Sequence, residues 1–253
     1  MDQQQILSCA LDIGEQMLIS GAEVSRVELA IFLLCKAYGC TRADVFIITS
    51  SMILTIESPD GSHATQTRRI TGTSTDLTKL HKLNALSRRV CAEKPCYQDV
   101  QGQLKAICRE HPYPLWLQVL GSGLIAFAFT VFFGGSWLDG GVAAGLGMML
   151  RLVTQLLQKT AANQIIVNVI ASFLLSIGAL GLVRLGLGQD ANKILIGNIM
   201  LLIPGIALTN SLRDLISGDI ITGLLRFLDA VLVAAAIAAG YILAAQLLGG
   251  GLV

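Results

Sequence analysis

The sequence predicts an α-helical membrane protein in which five transmembrane helices follow a small α/β cytoplasmic domain. Two observations support this division. Residues 1–114 hold 12 of the 18 lysines and arginines and 12 of the 17 aspartates and glutamates, whereas 115–253 contain no glutamate. Apolar stretches long enough to cross a bilayer lie in the second part. We therefore expect two domains, a cytoplasmic one at 1–114 and a transmembrane one at 115–253.

Two amphipathic helices are predicted at the start of the chain. Residues 3–20 keep apolar side chains at helical spacing, which favours one helix with a buried stripe. Ser20 and Glu23 stand three positions apart in the pattern of a capping box, so we expect a second helix to open there. Gly39 is expected to end that second helix, because glycine is common just past a helix C-terminus.

A small sheet and two further helices complete the first domain. Residues 45–67 are rich in β-branched side chains around a Pro-Asp-Gly turn, which predicts a β-hairpin or a small meander. Helices are expected at about 75–92 and 97–110, and Pro112 and Pro114 are expected to end them before the membrane part. About 110 residues are enough for such a domain to bury its own core.

The first domain carries no recognisable catalytic motif. The sequence contains no HExxH, no GxSxG and no glycine-rich phosphate loop, so we predict neither an enzyme nor a cofactor. The two Cys-x4-Cys pairs are not typical zinc ligands, and we predict no metal. No signal peptide is visible, and a cytoplasmic domain should keep its thiols reduced. The six cysteines are Cys9, Cys35, Cys40, Cys91, Cys96 and Cys108.

Five apolar stretches in the second part have the length of about 20 residues that crosses a bilayer. Lys105 and Arg109 precede the first stretch, and the loop at 134–141 lacks basic residues, so the N-terminal domain should be cytoplasmic. An odd number of spans then leaves the C-terminus on the outer side of the membrane. The five stretches cover approximately residues 115–133, 138–158, 163–187, 191–212 and 221–248.

Polar residues recur along one face of the third stretch. Gln164 and Asn168 are four positions apart, and Ser172 and Ser176 continue the spacing. Serine on such a face is more often helix–helix contact than function. Gln164 and Asn168 are costlier to bury unpaired, so they are candidate pathway residues. In the second stretch, residues 141–145 form a GxxxG pattern, which lets another helix approach closely.

The fourth stretch is interrupted by Pro204 and Gly205. Proline removes a backbone donor and clashes with the carbonyl four residues earlier. In lipid, a broken helix is tolerated where protein or water satisfies its freed groups, and such breaks often line transport sites. The other candidate pathway residues near this break are Asn198, Thr209, Asn210, Arg213 and Asp214.

A helix that begins near Gly205 exposes free amide N–H groups and the positive end of its dipole, which suits a carboxylate. We therefore expect a small-molecule carboxylate substrate at this point. Asp214 or Asp229 would then receive an ammonium group or a coupling proton. An ion pair with Arg226, three residues earlier, explains Asp229 equally well.

Several segments together resemble a known family. They are GAEVSRVE at 21–28, the strand–PDG–strand region, the helix start at Asp76, and LLIPGIALTNSLRDLISGDIITGLLR at 201–226. Over essentially its whole length the chain resembles the bacterial threonine/serine exporters, the ThrE-like family. In that family a cytoplasmic domain precedes five helices, and a second five-helix part follows. This chain resembles the split form, in which a separate five-helix membrane subunit completes the exporter.

The resemblance implies a secondary transporter that exports threonine, serine or a dicarboxylate such as succinate across the bacterial inner (plasma) membrane. It implies that Pro204, Gly205, Asn210, Asp214 and Gly223 lie in the region that matters. As partners we expect the second subunit and membrane lipid, leave a homo-oligomer open, and expect no nucleic acid, because the net charge is only +1. Two alternatives stay open: a membrane-tethered sensor or regulator, and a hydrolase, each with its activity in the N-terminal domain.

Overall fold

Contacts group the chain into two compact units in the computed structural model, which describes residues 1–72, 74–110, 113–159 and 163–248. The first unit combines Met1–Glu110 with Gly205–Leu228, and the second combines His111–Pro204 with Asp229–Val253. The contacts therefore attach residues 205–228 to the N-terminal part, whereas the domain bounds at 114 and 115 stay a prediction. Residues 249–253 of the predicted membrane domain lie outside the described residues.

The first two helices form as predicted, except at the start of the second. Helix α1 spans Gln3–Ile19 and helix α2 spans Val24–Ala37. The predicted apolar stripe of α1 is confirmed, since its members from Ile6 to Leu18 are buried. The predicted capping box of α2 is wrong: Glu23 is the N-cap residue, and its side chain makes no capping hydrogen bond. A capping box forms instead on α1, between Asp2 and Gln5.

A three-stranded antiparallel meander follows α2, which is the second of the two predicted arrangements. Met52, Leu54 and Ile56 alternate along the central strand and are fully buried, so one face of the sheet belongs to the core. The strands lie in the order β1-β2-β3. Their bounds are Arg42–Ile48 for β1, Ser51–Glu57 for β2 and His63–Arg69 for β3.

Helices α3, Leu77–Glu93, and α4, Tyr97–Arg109, confirm the two helices predicted before the membrane part. Together with α1, α2 and the sheet they enclose one hydrophobic core. All six cysteines are free thiols. Within the described residues, no three histidine, cysteine or acidic side chains are grouped so that they could hold a metal ion.

The first unit also contains a helical hairpin. Its first arm is α9, Gly205–Ser217, and its second arm is the beginning of α10, Ile220–Leu247. Gly218, with φ of +99°, forms the turn between them. A Cβ atom on Gly223 would lie 2.9 Å from the carbonyl oxygen of Ser211, so the arms cross in backbone contact at that glycine.

The second unit consists of helices, four of which lie before the break. Among the described residues, α5, α6, α7 and α10 are long and apolar enough to cross a membrane, which confirms four of the five predicted stretches. The helix bounds in this unit are Leu115–Phe132 for α5, Trp137–Lys159 for α6, Gln164–Arg184 for α7 and Ala191–Ile199 for α8.

The fourth predicted stretch, at 191–212, is not one continuous helix. Helix α8 has 9 residues and α9 has 13, and each is shorter than the roughly 20 residues of a spanning helix. The amides of Leu202 and Ile203 both donate to the carbonyl of Ile199, at 2.8 and 3.1 Å, so the last turn tightens before Pro204. The physical reason is proline, which cannot continue the helical hydrogen-bond ladder.

Close helix contacts in the second unit use glycines other than those of the predicted GxxxG pattern. A Cβ atom on Gly141 or Gly145 would meet no atom within 4 Å. A Cβ atom on Gly147 would lie 2.9 Å from the carbonyl oxygen of Ser122 on α5. The GxxxG face is therefore left uncovered in the described part of the chain, and Gly147 lets α5 and α6 approach.

Candidate functional site

The polar residues after the break converge on the turn between α1 and α2. Asp214 is fully buried, with 0% of its surface exposed. One carboxylate oxygen accepts a hydrogen bond from the backbone N–H of Val24 at 3.4 Å, and the other accepts from Arg226 Nη1 at 2.8 Å. Arg226 Nη2 also donates to the carbonyl of Ala22 at 3.2 Å. Asp214 therefore joins α9, α10 and the start of α2.

Two more candidate residues contact the same turn. Asn210 Nδ2 donates to the carbonyl oxygen of Gly21 at 3.0 Å, and Arg213 forms an ion pair with Glu23. Gly21 has a φ of +94°, a conformation that favours glycine. We call this cluster the Asp214 network; its members are residues 21–24, Asn210, Arg213, Asp214 and Arg226.

The electrostatics of α2 explain why the carboxylate of Asp214, which is far away in the sequence, lies at the N-terminus of this helix. The first amide groups of a helix lack partners within the helix, and the positive end of the helix dipole favours an anion. Glu23 is the N-cap residue but does not cap α2, and Asp214 accepts from Val24 in its place. The guanidinium of Arg226 supplies the opposite charge that a buried carboxylate requires.

Glu28 lies one helical turn further along α2 and is half-buried. Burial raises the pKa of its carboxyl, and the negative charges of Asp219 and Asp214 raise it further. The end of α9 and the start of α10 therefore bring acidic groups close to α2, and of these Asp214 pairs with the half-buried Arg226.

The ion pair that could have explained Asp229 is not formed. Arg226 pairs with Asp214, 12 positions away, rather than with its near neighbour Asp229. Asp229 itself is exposed on α10 and belongs to the second unit. Within the described residues its carboxylate makes no hydrogen bond and no ion pair.

The first residue of α9, at the helix break, is exposed. Helix α9 begins at Gly205, and a Cβ atom there would meet no atom within 4 Å. The hydroxyl of Thr209 donates to the Gly205 carbonyl at 2.9 Å, which uses the threonine inside the first turn. Pro204 is the last residue of the first segment of the second unit, and Gly205 begins the hairpin segment of the first unit.

The predicted polar face of α7 divides into two kinds of contact. Gln164 Nε2 donates to Asn168 Oδ1 at 3.2 Å, and Asn168 is only 4% exposed. The hydroxyl of Ser172 donates to the carbonyl of Ile237 on α10 at 2.7 Å, and Ser176 donates back to Ser172. Ser172 therefore joins α7 to α10, whereas the bond of Ser176 stays within α7 and Gln164 and Asn168 pair with each other.

Asn198, one turn before the break, carries a buried acceptor without a partner. Its Nδ2 donates to the carbonyl of Ile194 at 3.0 Å, but its Oδ1 has no hydrogen bond within the described residues. The hydroxyl of Thr130 on α5 is buried and unpaired there as well. A Cβ atom on Gly197 would overlap that hydroxyl, so α5 and α8 are in direct contact. Because unpaired buried polar atoms are unusual, Asn198 and Thr130 are candidates for a functional role.

The sequence reasoning missed Asp139, which is buried in the first turn of α6. Its carboxylate accepts from the amide and hydroxyl of Ser136 at 3.0 and 2.8 Å. It also accepts from the amides of Gln189 at 2.6 Å and Asp190 at 3.2 Å. Asp139 thereby ties the start of α6 to the turn before α8. The signal was present, since Ser136-x-x-Asp139 is a capping-box pattern ahead of an apolar run.

Comparison with known proteins identifies the family. The model of the ThrE family, described as "Putative threonine/serine exporter", matches residues 8–248. A Mycobacterium tuberculosis protein named "Probable threonine/serine exporter" is 25% identical, over 95% of this chain and 46% of its own length. The Corynebacterium glutamicum "Threonine/serine exporter" is also 25% identical, over 96% of this chain and 51% of its own length.

A relative of similar length bears a different name. The Escherichia coli "Probable succinate transporter subunit YjjP" is 26% identical, over 98% of this chain and 96% of its own length. The chain thus spans about half of each exporter relative, at 46% and 51%, and nearly all of the named subunit. No solved structure matches. The family match and these names indicate a membrane transporter rather than an enzyme, and the chain belongs to the ThrE family of threonine/serine exporters.

Proposed function

We propose that this chain is one subunit of a secondary exporter for a small carboxylate-bearing metabolite in the bacterial inner membrane. Threonine, serine and succinate are the first substrates to test, because relatives carry those names. The observation that carries the proposal is the break between α8 and α9, which ends in an open helix start at Gly205. A sensor or hydrolase that only needed an anchor would not require this break.

Topology supports a fifth crossing made by α8 and α9 together. Helices α5, α6 and α7 make three crossings, so α7 ends on the side opposite to residues 1–110. Helix α9 and the start of α10 nevertheless contact those N-terminal residues within the first unit. The chain must therefore recross the bilayer before α10. The 9 and 13 residues of α8 and α9 would rise about 33 Å if collinear, enough for a bilayer core of about 30 Å.

An orientation in the membrane goes with this proposed fifth crossing. With Lys105 and Arg109 before α5, the N-terminal domain is cytoplasmic. Helix α10 then starts on the cytoplasmic side, because Arg226 donates to the Ala22 carbonyl, and makes the last crossing. The C-terminus is accordingly outside.

The substrate carboxylate binds, in this proposal, at the start of α9. The first amides of the 13-residue helix point along its axis, and Gly205 carries no side chain to cover them. In the second unit, the proposed pathway residues are Gln164, Asn168 and Asn198. Asn198 Oδ1 is a buried acceptor without a hydrogen bond in the described part of the chain, so it can accept one from the substrate. Thr209 and Pro204 shape the helix start rather than bind the substrate.

Asp229 is the carboxylate that we propose for the coupling proton or the substrate ammonium group. Asp214, the other candidate, already accepts from Val24 and Arg226 and is fully buried. Asp229 is exposed and makes no ion pair in the described part of the chain. Asn210, Arg213 and Asp214 instead hold α9 to the N-terminal domain and so position its start.

A second membrane subunit completes the pathway in this proposal. The exporter relatives are about twice as long as this chain, which covers 46% and 51% of them, and a relative of equal length is named a subunit. The uncovered face at Gly141 and Gly145 on α6 offers the close approach that a partner helix would use. We propose a separate five-helix protein that matches the other half of the exporter relatives.

Counterflow in proteoliposomes tests the function. The purified chain is reconstituted with and without a five-helix partner of that description, and the vesicles are loaded with threonine, serine or succinate. We expect uptake of the matching labelled substrate when both proteins are present, and its loss in Pro204→Leu. Ile53→Leu, a change of similar size on an exposed position of β2, is the matched control. Absence of counterflow for all three substrates under an imposed gradient would contradict the proposal.

The proton role has its own experiment. Transport by Asp229→Asn is compared with the native protein across a range of imposed pH gradients. We expect the variant to lose the dependence on the gradient while keeping exchange, since an amide cannot carry the proton. A variant whose transport still follows the pH gradient would remove Asp229 from the coupling step.

A further inference from the structure

Helix α2 exposes an apolar face that the described part of the protein does not cover. Leu29, Phe32 and Leu33 are 57%, 38% and 48% exposed, although they lie in a helix whose opposite face is fully buried. Arg26 and Lys36 stand at the two ends of this face and are exposed. Lys36 Nζ lies 5.4 Å from the centre of the Phe32 ring. The α2 face is defined here as these five residues.

The chemistry of the α2 face is that of a helix lying in a membrane interface. Large apolar side chains in the middle suit the boundary of the acyl chains, and basic side chains at the ends suit phosphate groups. The acidic residues of α2 and its N-cap are not among the five residues of this face: Glu23 pairs with Arg213, and Glu28 is half-buried. No negative charge on the helix therefore opposes an anionic surface at this face.

Hydrogen bonds attach the start of α2 to the start of α10 within the first unit. Arg226 donates to the carbonyl of Ala22, two residues before α2 begins. From Ala230 to Leu247, α10 contains 18 residues without a charged side chain, which form the membrane-spanning part. Ala230 comes four positions after Arg226, a rise of about 6 Å along the helix. The start of α2 is therefore attached to α10 about one helical turn before the uncharged part of α10 begins.

The link to α10 also lowers the affinity that the face needs. Three apolar side chains and two basic ones would bind a membrane only weakly as a free peptide. Here the Asp214 network holds the start of α2 against a helix that is itself inserted, so the local concentration of lipid is high. Weak contacts are then enough to keep the face on the surface.

We propose that the α2 face rests on the cytoplasmic surface of the membrane and binds anionic phospholipid headgroups through Arg26 and Lys36. The N-terminal domain would thereby be held at the membrane at a second point besides α10. This role is independent of any transported substrate.

Lipid-dependent fluorescence quenching tests the proposal on the full-length chain. Cys91, Cys96 and Cys108 are replaced by serine, and Leu33→Cys is labelled with an environment-sensitive dye. His63→Cys, exposed at the far end of the sheet from the α9–α10 hairpin, is the matched control. The protein is reconstituted in phosphatidylcholine with or without phosphatidylglycerol, and quenching by lipids spin-labelled near the headgroup is measured.

We expect quenching at position 33 to be several-fold stronger than at position 63, and to rise with phosphatidylglycerol. Arg26→Gln combined with Lys36→Gln should remove that rise, and both substitutions are on the surface, so folding is preserved. Equal quenching at the two positions would overturn the proposal. If position 33 is protected from quenching and this protection disappears when the protein is diluted in lipid, a second copy of this chain covers the α2 face. That result would overturn the proposal as well.

Discussion

The carboxylate of Asp214 accepts a hydrogen bond from the backbone N–H of Val24, 190 positions earlier in the chain. This contact joins two segments that the sequence had singled out separately, the one at 21–28 and the one at 201–226. The segment after the helix break therefore serves as an attachment point for the N-terminal domain.

Loss of the buried ion pair should destabilise the protein strongly. Asp214→Asn leaves the Arg226 guanidinium, whose side chain is only 14% exposed, without its anion. We expect a loss of about 3 kcal/mol, the scale for breaking a buried pair on one side. Thermal unfolding of the detergent-purified chain measures it. The matched control is Asp44→Asn, in a pair exposed by 70% and 58%, which should cost less than about 1 kcal/mol.

A double-substitution cycle separates the ion pair from simple packing damage. Adding Arg226→Gln to Asp214→Asn removes the unpaired charge, so the double variant should be more stable than the sum of the single effects predicts. Strict additivity of the two effects would mean that the pair is not coupled in the folded protein.

Two glycines in one helix should respond oppositely to alanine. On Gly147 a new Cβ atom would lie 2.9 Å from the Ser122 carbonyl oxygen, and backbone cannot give way cheaply. Gly147→Ala should therefore cost about 1–3 kcal/mol by overpacking. On Gly145 the new atom meets nothing within 4 Å, so Gly145→Ala should be neutral or stabilising in the isolated chain. The melting temperatures of the two variants test this difference in stability. An equal decrease in both variants would contradict the described α5–α6 contact.

Glu28 should make stability depend on pH. Its pKa is raised from the ordinary 4.5, first by burial and then by Asp219 and Asp214. The folded protein thus binds this proton more tightly than the unfolded chain. Its stabilising contribution is complete below pH 4.5 and is lost as the pH rises through the raised value. Glu28→Gln should then be more stable than the native chain at neutral pH, with no difference under acid conditions. A difference that does not vary with pH would point to packing instead.

Thiol labelling should divide the cysteines into two classes. Burial raises the pKa of Cys9 and Cys35 to about 12, so neither forms the reactive thiolate at neutral pH. Cys96 and Cys108 are exposed. Maleimide should modify the exposed pair rapidly and reach the buried pair only after unfolding. Mass spectrometry of the folded chain, with a denatured sample as control, checks this, and early labelling of Cys9 would contradict the described core.

The positions of apolar residues along the sequence predicted most of the helices. The apolar spacing in residues 3–20 was sufficient for α1, and long uninterrupted apolar runs were sufficient for α5, α6, α7 and α10. These patterns are local, because a helix needs only its own residues to define which face is buried. Pro204 located the helix break for the same reason, since its effect on the backbone is confined to one turn.

The spacing of residues in the sequence did not predict which side chains bind each other in the folded protein. Ser20 and Glu23 suggested a local cap for α2, yet Asp214 occupies that place, and Arg226 pairs with Asp214 rather than with its neighbour Asp229. The GxxxG pattern likewise indicated a close contact that Gly147 makes instead. A carboxylate binds whichever donor the fold brings within about 3 Å, and a glycine permits contact only where another backbone arrives. By itself the sequence determined the helices, the break and the division by charge. Only the tertiary structure decided that the segment after the break belongs with the N-terminal domain, because that depends on which distant groups meet in space.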